Sequence, residues 1–94
     1  MLIGEVLHVD NFGNIITNIS AKEIVHISVK DAVNVELPNC TLKLKLCKAY
    51  AETKPQEPLA LIGSHNYLEI AINQDNAAAE FNTKAGDKVT ISLS

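Results

Sequence analysis

Apolar and polar residues alternate with a period of two through most of this chain, and that period predicts strands rather than helices. Leu2 to Val9 reads as a first strand, and extended structure resumes over Asn14 to Asn18. Ser20-Ala21-Lys22-Glu23 has the spacing of a capping box and predicts one or two helical turns. The β-branched run Ile24, Val25, Ile27 and Val29 then suits a strand, which Asp31 ends. Val33, Val35 and Leu37 share one face of a strand over Ala32 to Leu37, and Pro38-Asn39 turns the chain. The clearest strand runs from Cys40 to Tyr50, with Leu42, Leu44 and Leu46 facing one way and Thr41, Lys43 and Lys45 the other. Glu52 to Pro58 reads as a loop, Leu59 to Ile62 as a short strand, Gly63-Ser64-His65-Asn66 as a turn and Tyr67 to Ile72 as another strand. Asp75 or Asn76 can cap a short helix through Phe81, and Val89 to Ser94 closes the chain with Val89, Ile91 and Leu93 inward. Six or seven short strands with two helical turns at most predict a small all-β barrel or sandwich with sequential, mostly antiparallel pairing.

Composition narrows what such a domain does. At 94 residues the chain has room for one core. Its net charge is −3, and all eight of its basic residues are lysines. Nucleic-acid binding needs a basic field and favours arginine forks, so no nucleic-acid partner is expected. No apolar run is long enough to cross a bilayer, and Glu5, His8 and Asp10 interrupt the N-terminal one. The expectation is a cytoplasmic protein with no membrane partner. Cys40 and Cys47, seven apart on one strand, would point to opposite faces about 23 Å apart, too far for a disulfide. With His8, His26 and His65 scattered, no metal-ligand spacing arises. No metal and no cofactor are expected.

Two polar clusters carry the candidate chemistry. Asp10-Asn11-Phe12-Gly13-Asn14 supplies an aromatic face, a carboxamide that donates and accepts, and a carboxylate. That is a kit for a purine nucleoside, and equally a turn with Phe12 in the core. Gly63-Ser64-His65-Asn66-Tyr67 is either a bare hairpin turn or a small carboxylate pocket made of backbone amides and the Ser64 hydroxyl. Gly63 and Asn66 are the residues there that tolerate positive φ. Ser64 and His65 are adjacent, and strand neighbours face opposite ways, so they make a poor nucleophile–base pair; no catalytic residue is assigned.

Taken together, the two clusters resemble the C-terminal domain of the S-adenosylmethionine hydroxide adenosyltransferase family, which also holds the fluorinase and chlorinase. The likeness rests on Asp10, Phe12-Gly13-Asn14 and Thr17-Asn18, then on Ser64, Tyr67-Leu68-Glu69-Ile70-Ala71, Asn76-Ala77-Ala78 and Lys84-Ala85-Gly86-Asp87-Lys88-Val89. It covers nearly the whole chain. It implies a closed or partly open antiparallel β-barrel with one or two short helical turns, forming a single domain over residues 1–94. The family's N-terminal α/β domain, which activates water or halide, is expected to be absent from this chain or carried by a separate one. A homotrimer is expected, with the ligand between the barrel and the α/β domain of a neighbouring subunit.

By the same resemblance the substrate is S-adenosylmethionine, which the family hydrolyses to adenosine and L-methionine. Phe12 would pack against the adenine and Asn14 would read its edge. Asp10 would meet the methionine amino group, with Ser64 and His65 at the amino-acid moiety. The backbone of Ile72, Asn73 and Gln74 would complete adenine recognition. His65-Asn66 replaces the residue-Gly pair common at that turn, and the arginine that halogenases place after the serine is absent, which argues against a halogenase. The expected role is adenosyl binding within a hydrolase, with no catalysis by this chain alone. The alternative is a stand-alone barrel that binds a nucleoside or serves assembly without an enzymatic role.

Overall fold

Strand β1 (Leu2–Val9) bends back into β2 (Ile15–Ser20) through the Asp10–Asn14 loop. The computed structural model describes residues 1–25, 32–48 and 50–93. After β2 come helix α1 (Ala21–Val25), β3 (Ala32–Leu37) and β4 (Cys40–Cys47). A single 3₁₀ turn (Tyr50–Glu52) precedes β5 (Pro58–Ile62), β6 (Tyr67–Ile72), helix α2 (Ala77–Glu80) and β7 (Lys88–Leu93). The strands close into a barrel in the order β1-β2-β6-β5-β4-β3-β7.

The all-β expectation therefore holds, and the barrel is closed rather than a sandwich. The pairing is less sequential than the alternation suggested. β2 pairs with β6, and β7 inserts between β1 and β3, all antiparallel. β4 and β5 run parallel, with Leu46 opposite Ala60 and Cys47 opposite Leu61. A parallel neighbour cannot be reached by a hairpin, so residues 48–57 must travel back along the barrel before β5 begins. Tyr50, expected at the end of β4, lies instead in the 3₁₀ turn of that crossing.

The barrel interior is filled by Val6, Ile15, Val33, Val35, Leu68, Ile70, Val89 and Ile91, each no more than 1% exposed. The alternation read in β3 and β7 predicts Val33, Val35, Leu37, Val89 and Ile91 correctly, because each strand has one face on the core, while the Leu93 side chain lies outside what is described. A second cluster of Cys47, Leu59, Leu61 and Ala71 is buried on the opposite face of β4–β6. Cys40 packs against the main core and Cys47 sits in this outer cluster, so the thiols do point to opposite faces, and both are free.

Local signals are met in detail at three places. Ser20 and Glu23 form the predicted capping box: the Glu23 amide donates to Ser20 Oγ at 3.3 Å and the Ser20 amide to Glu23 Oε2 at 2.8 Å. The Ser20 amide, and then the Ser20 hydroxyl donating to the same Oε2 at 3.0 Å, hold the Glu23 carboxyl below its usual range. Ile24 and Val25 belong to this helix and not to a strand, since the cap commits them first; Ile27, Val29 and Asp31 fall outside the described residues. Asn76 caps α2 by accepting from the Ala79 amide at 2.9 Å. At a register shift in β2, the fully buried Thr17 hydroxyl donates to the Leu68 carbonyl at 2.8 Å and accepts from the Ile19 amide at 3.2 Å. Asn18, pointing the other way, accepts from the Glu5 amide of β1 at 2.9 Å. The Thr17-Asn18 pair thus stitches β2 to both neighbours where the ladder is broken.

Candidate functional site

The Asp10–Asn14 loop is built by the Asp10 carboxylate. Its Oδ1 accepts from the Phe12 and Asn14 amides, each at 2.9 Å, and Oδ2 accepts from Asn14 Nδ2 at 3.0 Å. Backbone bonds from Asp10 N to Asn14 O (3.1 Å) and from Gly13 N to Asp10 O (3.0 Å) close the turn. Gly13 has a φ of +84°, and a β-carbon there would overlap the Asn76 carboxamide. The Gly13 carbonyl accepts from the Ala78 amide at 2.9 Å, so the loop is clamped to the start of α2. The consequence is that Phe12 is held with its ring out: it is 79% exposed, and the reading of it as a core residue is excluded.

Asn14 is 7% exposed, and both hydrogens of its amide are used. One goes to Asp10 and the other to the Tyr50 hydroxyl at 2.8 Å. A carboxylate can only accept, so Asp10 fixes which end of the carboxamide is nitrogen. Asn14 therefore offers a ligand its Oδ1 as an acceptor and no donor. Tyr50 accepts from Asn14 and retains its own hydrogen to donate. Burial, and then the nearby Glu69 charge, push the phenol pKa up, so it stays protonated at neutral pH.

These side chains line an open cleft of about 650 Å³ on the outer face of the barrel. Of the residues expected at the site, Asp10, Phe12, Asn14, Ser64, Ile72 and Gln74 border it, although some sixty positions separate the two groups. His65 and Asn73 do not. His65 is exposed on the turn between β5 and β6. Asn73 is engaged inside the chain: its amide donates to Glu57 O at 3.0 Å, its carbonyl accepts from Gln56 N at 2.8 Å, and its side chain donates to Thr53 O at 3.1 Å. It ties the 48–57 crossing to the end of β6. At the adjoining turns, Asn66 and Gln74 take positive φ (64° and 61°), while Gly63 does not.

Among the cleft residues given no binding role in the sequence reading, three bear most on its chemistry. Tyr50 is hidden there because its strand ends earlier than the alternation implies. Leu61 supplies an apolar wall from the outer cluster. Glu69 carried a usable signal: it is an acid on the outer face of β6, with Leu61 and Ile16 as its cross-strand neighbours. Burial raises its pKa, the Asp10 charge adds to that, and His8 and His65 oppose it. Its carboxylate lies against Gly63, in space a β-carbon would take. Among the described residues there is no group of three or more His, Cys, Asp or Glu able to hold a metal ion.

Known proteins share this sequence and this fold. The chain is 34% identical over 91 residues to an (R)-S-adenosyl-L-methionine hydrolase of Methanocaldococcus jannaschii, a match that covers 92% of this chain and 34% of that protein. An uncharacterized conserved protein from Thermotoga maritima, of known crystal structure, superimposes with a TM-score of 0.87 at 34% identity. That match covers 95% of this chain and 35% of the other. A conserved hypothetical protein from Thermus thermophilus gives a TM-score of 0.72 at 29% identity, over 95% of this chain and 34% of the other. The chain thus spans about a third of the length of the relatives it matches. Residues 4–90 match the family described as SAM hydroxide adenosyltransferase C-terminal domain, and this chain belongs to that family.

Proposed function

We propose that this domain holds the adenosyl group of S-adenosylmethionine for hydrolysis to adenosine and L-methionine, and that it has no catalytic activity alone. The observation that carries the reading is the exposed Phe12 ring beside the fixed Asn14 Oδ1, over a cleft of about 650 Å³. The ring gives the purine a face to stack on. Asn14 Oδ1 accepts from an exocyclic amine, and the Tyr50 hydroxyl is a donor beside it. Leu61 and Ile72 exclude water from one side.

In the reaction, water or hydroxide attacks the ribose C5′ carbon and the C–S bond breaks, with the electron pair leaving on a neutral thioether. Such a leaving group needs no proton, so positioning and desolvation dominate. The cleft supplies the positioning. Asp10 spends its carboxylate on the loop, and Ser64 has no base beside it, since His65 lies outside the cleft. Activation of water falls to the α/β domain expected from the family.

An aromatic face contributes ~1–3 kcal/mol per stacked base. A neutral hydrogen bond adds about 0.5–1.5 kcal/mol net. The sum corresponds to roughly millimolar adenosine binding, as ~4 kcal/mol does. Chemical-shift titration of the chain with adenosine tests this. Shifts should concentrate on residues 10–14, 61–64 and 69–75, and Phe12→Ala should abolish them. Shifts confined elsewhere overturn the site, and their complete absence favours the assembly role.

A further inference from the structure

Behind the Asp10–Asn14 loop, away from the cleft, lies a second groove of about 620 Å³. His8, Asn11, Gly13, Asn76, Thr83 and Lys84 border it, and Asp10 borders both hollows, so the loop is the wall between them. Asn76 borders the groove and not the cleft. Its carboxamide nonetheless bears on the cleft from behind. Oδ1, Cγ and Nδ2 all occupy the space that a β-carbon on Gly13 would take, so the group lies directly against the Gly13 backbone. We propose that Asn76 is a positioning residue for the adenosyl group: it sets how the loop carrying Phe12 and Asn14 stands against the Ile72–Gln74 turn across the cleft.

The inference rests on the reading of the cleft as an adenosyl site and adds what holds the two halves of that site in register. The loop is rigid in itself, since Asp10 binds the Phe12 and Asn14 amides and the Asn14 side chain. A rigid loop moves as a unit, so its seat decides where the ring and the acceptor point. That seat is the start of α2. The Ala78 amide donates to the Gly13 carbonyl at 2.9 Å, and Asn76 Oδ1 is fixed by the Ala79 amide at 2.9 Å. The helix is anchored to the barrel in turn: Ala77 is fully buried in the main core, and Phe81 packs against that core. On the other side the Asn76 amide donates to Asp75 Oδ1 at 2.7 Å, and the Asp75 amide to the Ile72 carbonyl at 3.0 Å. Asn76 is thus the link between the turn that follows β6 and the loop that precedes β2. Cap and seat are separate duties of one side chain. The cap needs only an oxygen at the Ala79 amide, whereas the seat needs the bulk of the carboxamide against Gly13.

The test is chemical-shift titration of the chain with adenosine, well below the melting transition, so that a lost cap does not change the folded fraction. Asn76→Ala should weaken adenosine binding about three- to fivefold, within the range of one neutral hydrogen bond. It should also shift the Phe12 and Asn14 amide resonances before any ligand is added. Asn76→Asp keeps the shape and the capping oxygen and should restore both readings. Gly13→Ala should weaken binding in the otherwise unaltered chain, and by a smaller factor once Asn76→Ala has removed the carboxamide it overlaps. An adenosine affinity unchanged in Asn76→Ala, or weakened equally in Asn76→Asp, overturns the inference and leaves the adenosyl reading standing. Strictly additive losses in the Gly13→Ala, Asn76→Ala pair overturn it too. If Gly13→Ala does not fold, the two Asn76 variants decide alone. No response of cleft residues to adenosine in the unaltered chain removes both readings.

Discussion

A partly buried acid costs a fold stability, and Glu69 shows how. Its pKa in the folded chain is raised, chiefly by burial, so the folded state binds a proton more readily than the unfolded state does. The destabilisation is therefore full above the raised pKa, fades as pH falls through it, and is gone below the ordinary glutamate value of about 4.3. Glu69→Gln should accordingly raise the melting temperature at pH 7. Because the group is partly exposed and solvent-screened, the gain is under about 1 kcal/mol, or up to about 5 °C. Thermal melts at pH 7 and pH 4 check this: the difference between the two chains should shrink at the lower pH. Gly13 is the opposite case, a residue with no chemistry of its own that is irreplaceable by geometry. Its positive φ and the Asn76 carboxamide against it both exclude a side chain, and the outward pose of Phe12 depends on it.

At the scale of elements, the 48–57 crossing does most to make the site. It brings Tyr50 to Asn14, whose side-chain amide donates to the Tyr50 hydroxyl at 2.8 Å. It is fastened by the Asn73 side chain, which donates to Tyr50 O at 3.3 Å and Thr53 O at 3.1 Å. Asn73→Ala should free the crossing without opening the barrel, at a cost of about 1–2 kcal/mol. Hydrogen exchange reads it directly: the Thr53 amide, which donates to Tyr50 O at 3.0 Å, should lose protection while the β3 and β7 amides keep theirs.

The same crossing marks the boundary of what the sequence discloses. β3 and β7 were legible because each has one wet face, and the caps at Ser20 and Asn76 because capping is local. In β4 the pattern breaks at Cys47, which is buried on the outer face with Leu59, Leu61 and Ala71, residues of strands that the alternation within β4 does not announce. Phe12 and Asn14 could be picked out by their chemistry, whereas the uses of Asp10 and Asn73 inside the chain depend on partners that turn geometry brings near.

At the scale of the molecule, the cleft lies outside the barrel and one side of it stays open. Phe12 shows most of its surface to solvent, and among the described residues the cleft contains no nucleophile paired with a base. The chain incubated alone with S-adenosylmethionine should release no adenosine above the rate without protein, measured by chromatography of the products. Under the proposed division of labour, addition of an α/β domain of the family should restore release.

The position of β7 has a temporal consequence. β7 lies between β1 and β3, so the first and last strands of the barrel become neighbours. Until Lys88–Leu93 has left the ribosome, β1 and β3 each expose an edge of unpaired backbone groups. The barrel cannot close progressively during synthesis; it must wait for its final strand and then fold in one event. During that interval the exposed Ile3 and Leu7 flank an open edge, and there the nascent chain is most open to pairing with a second copy of itself.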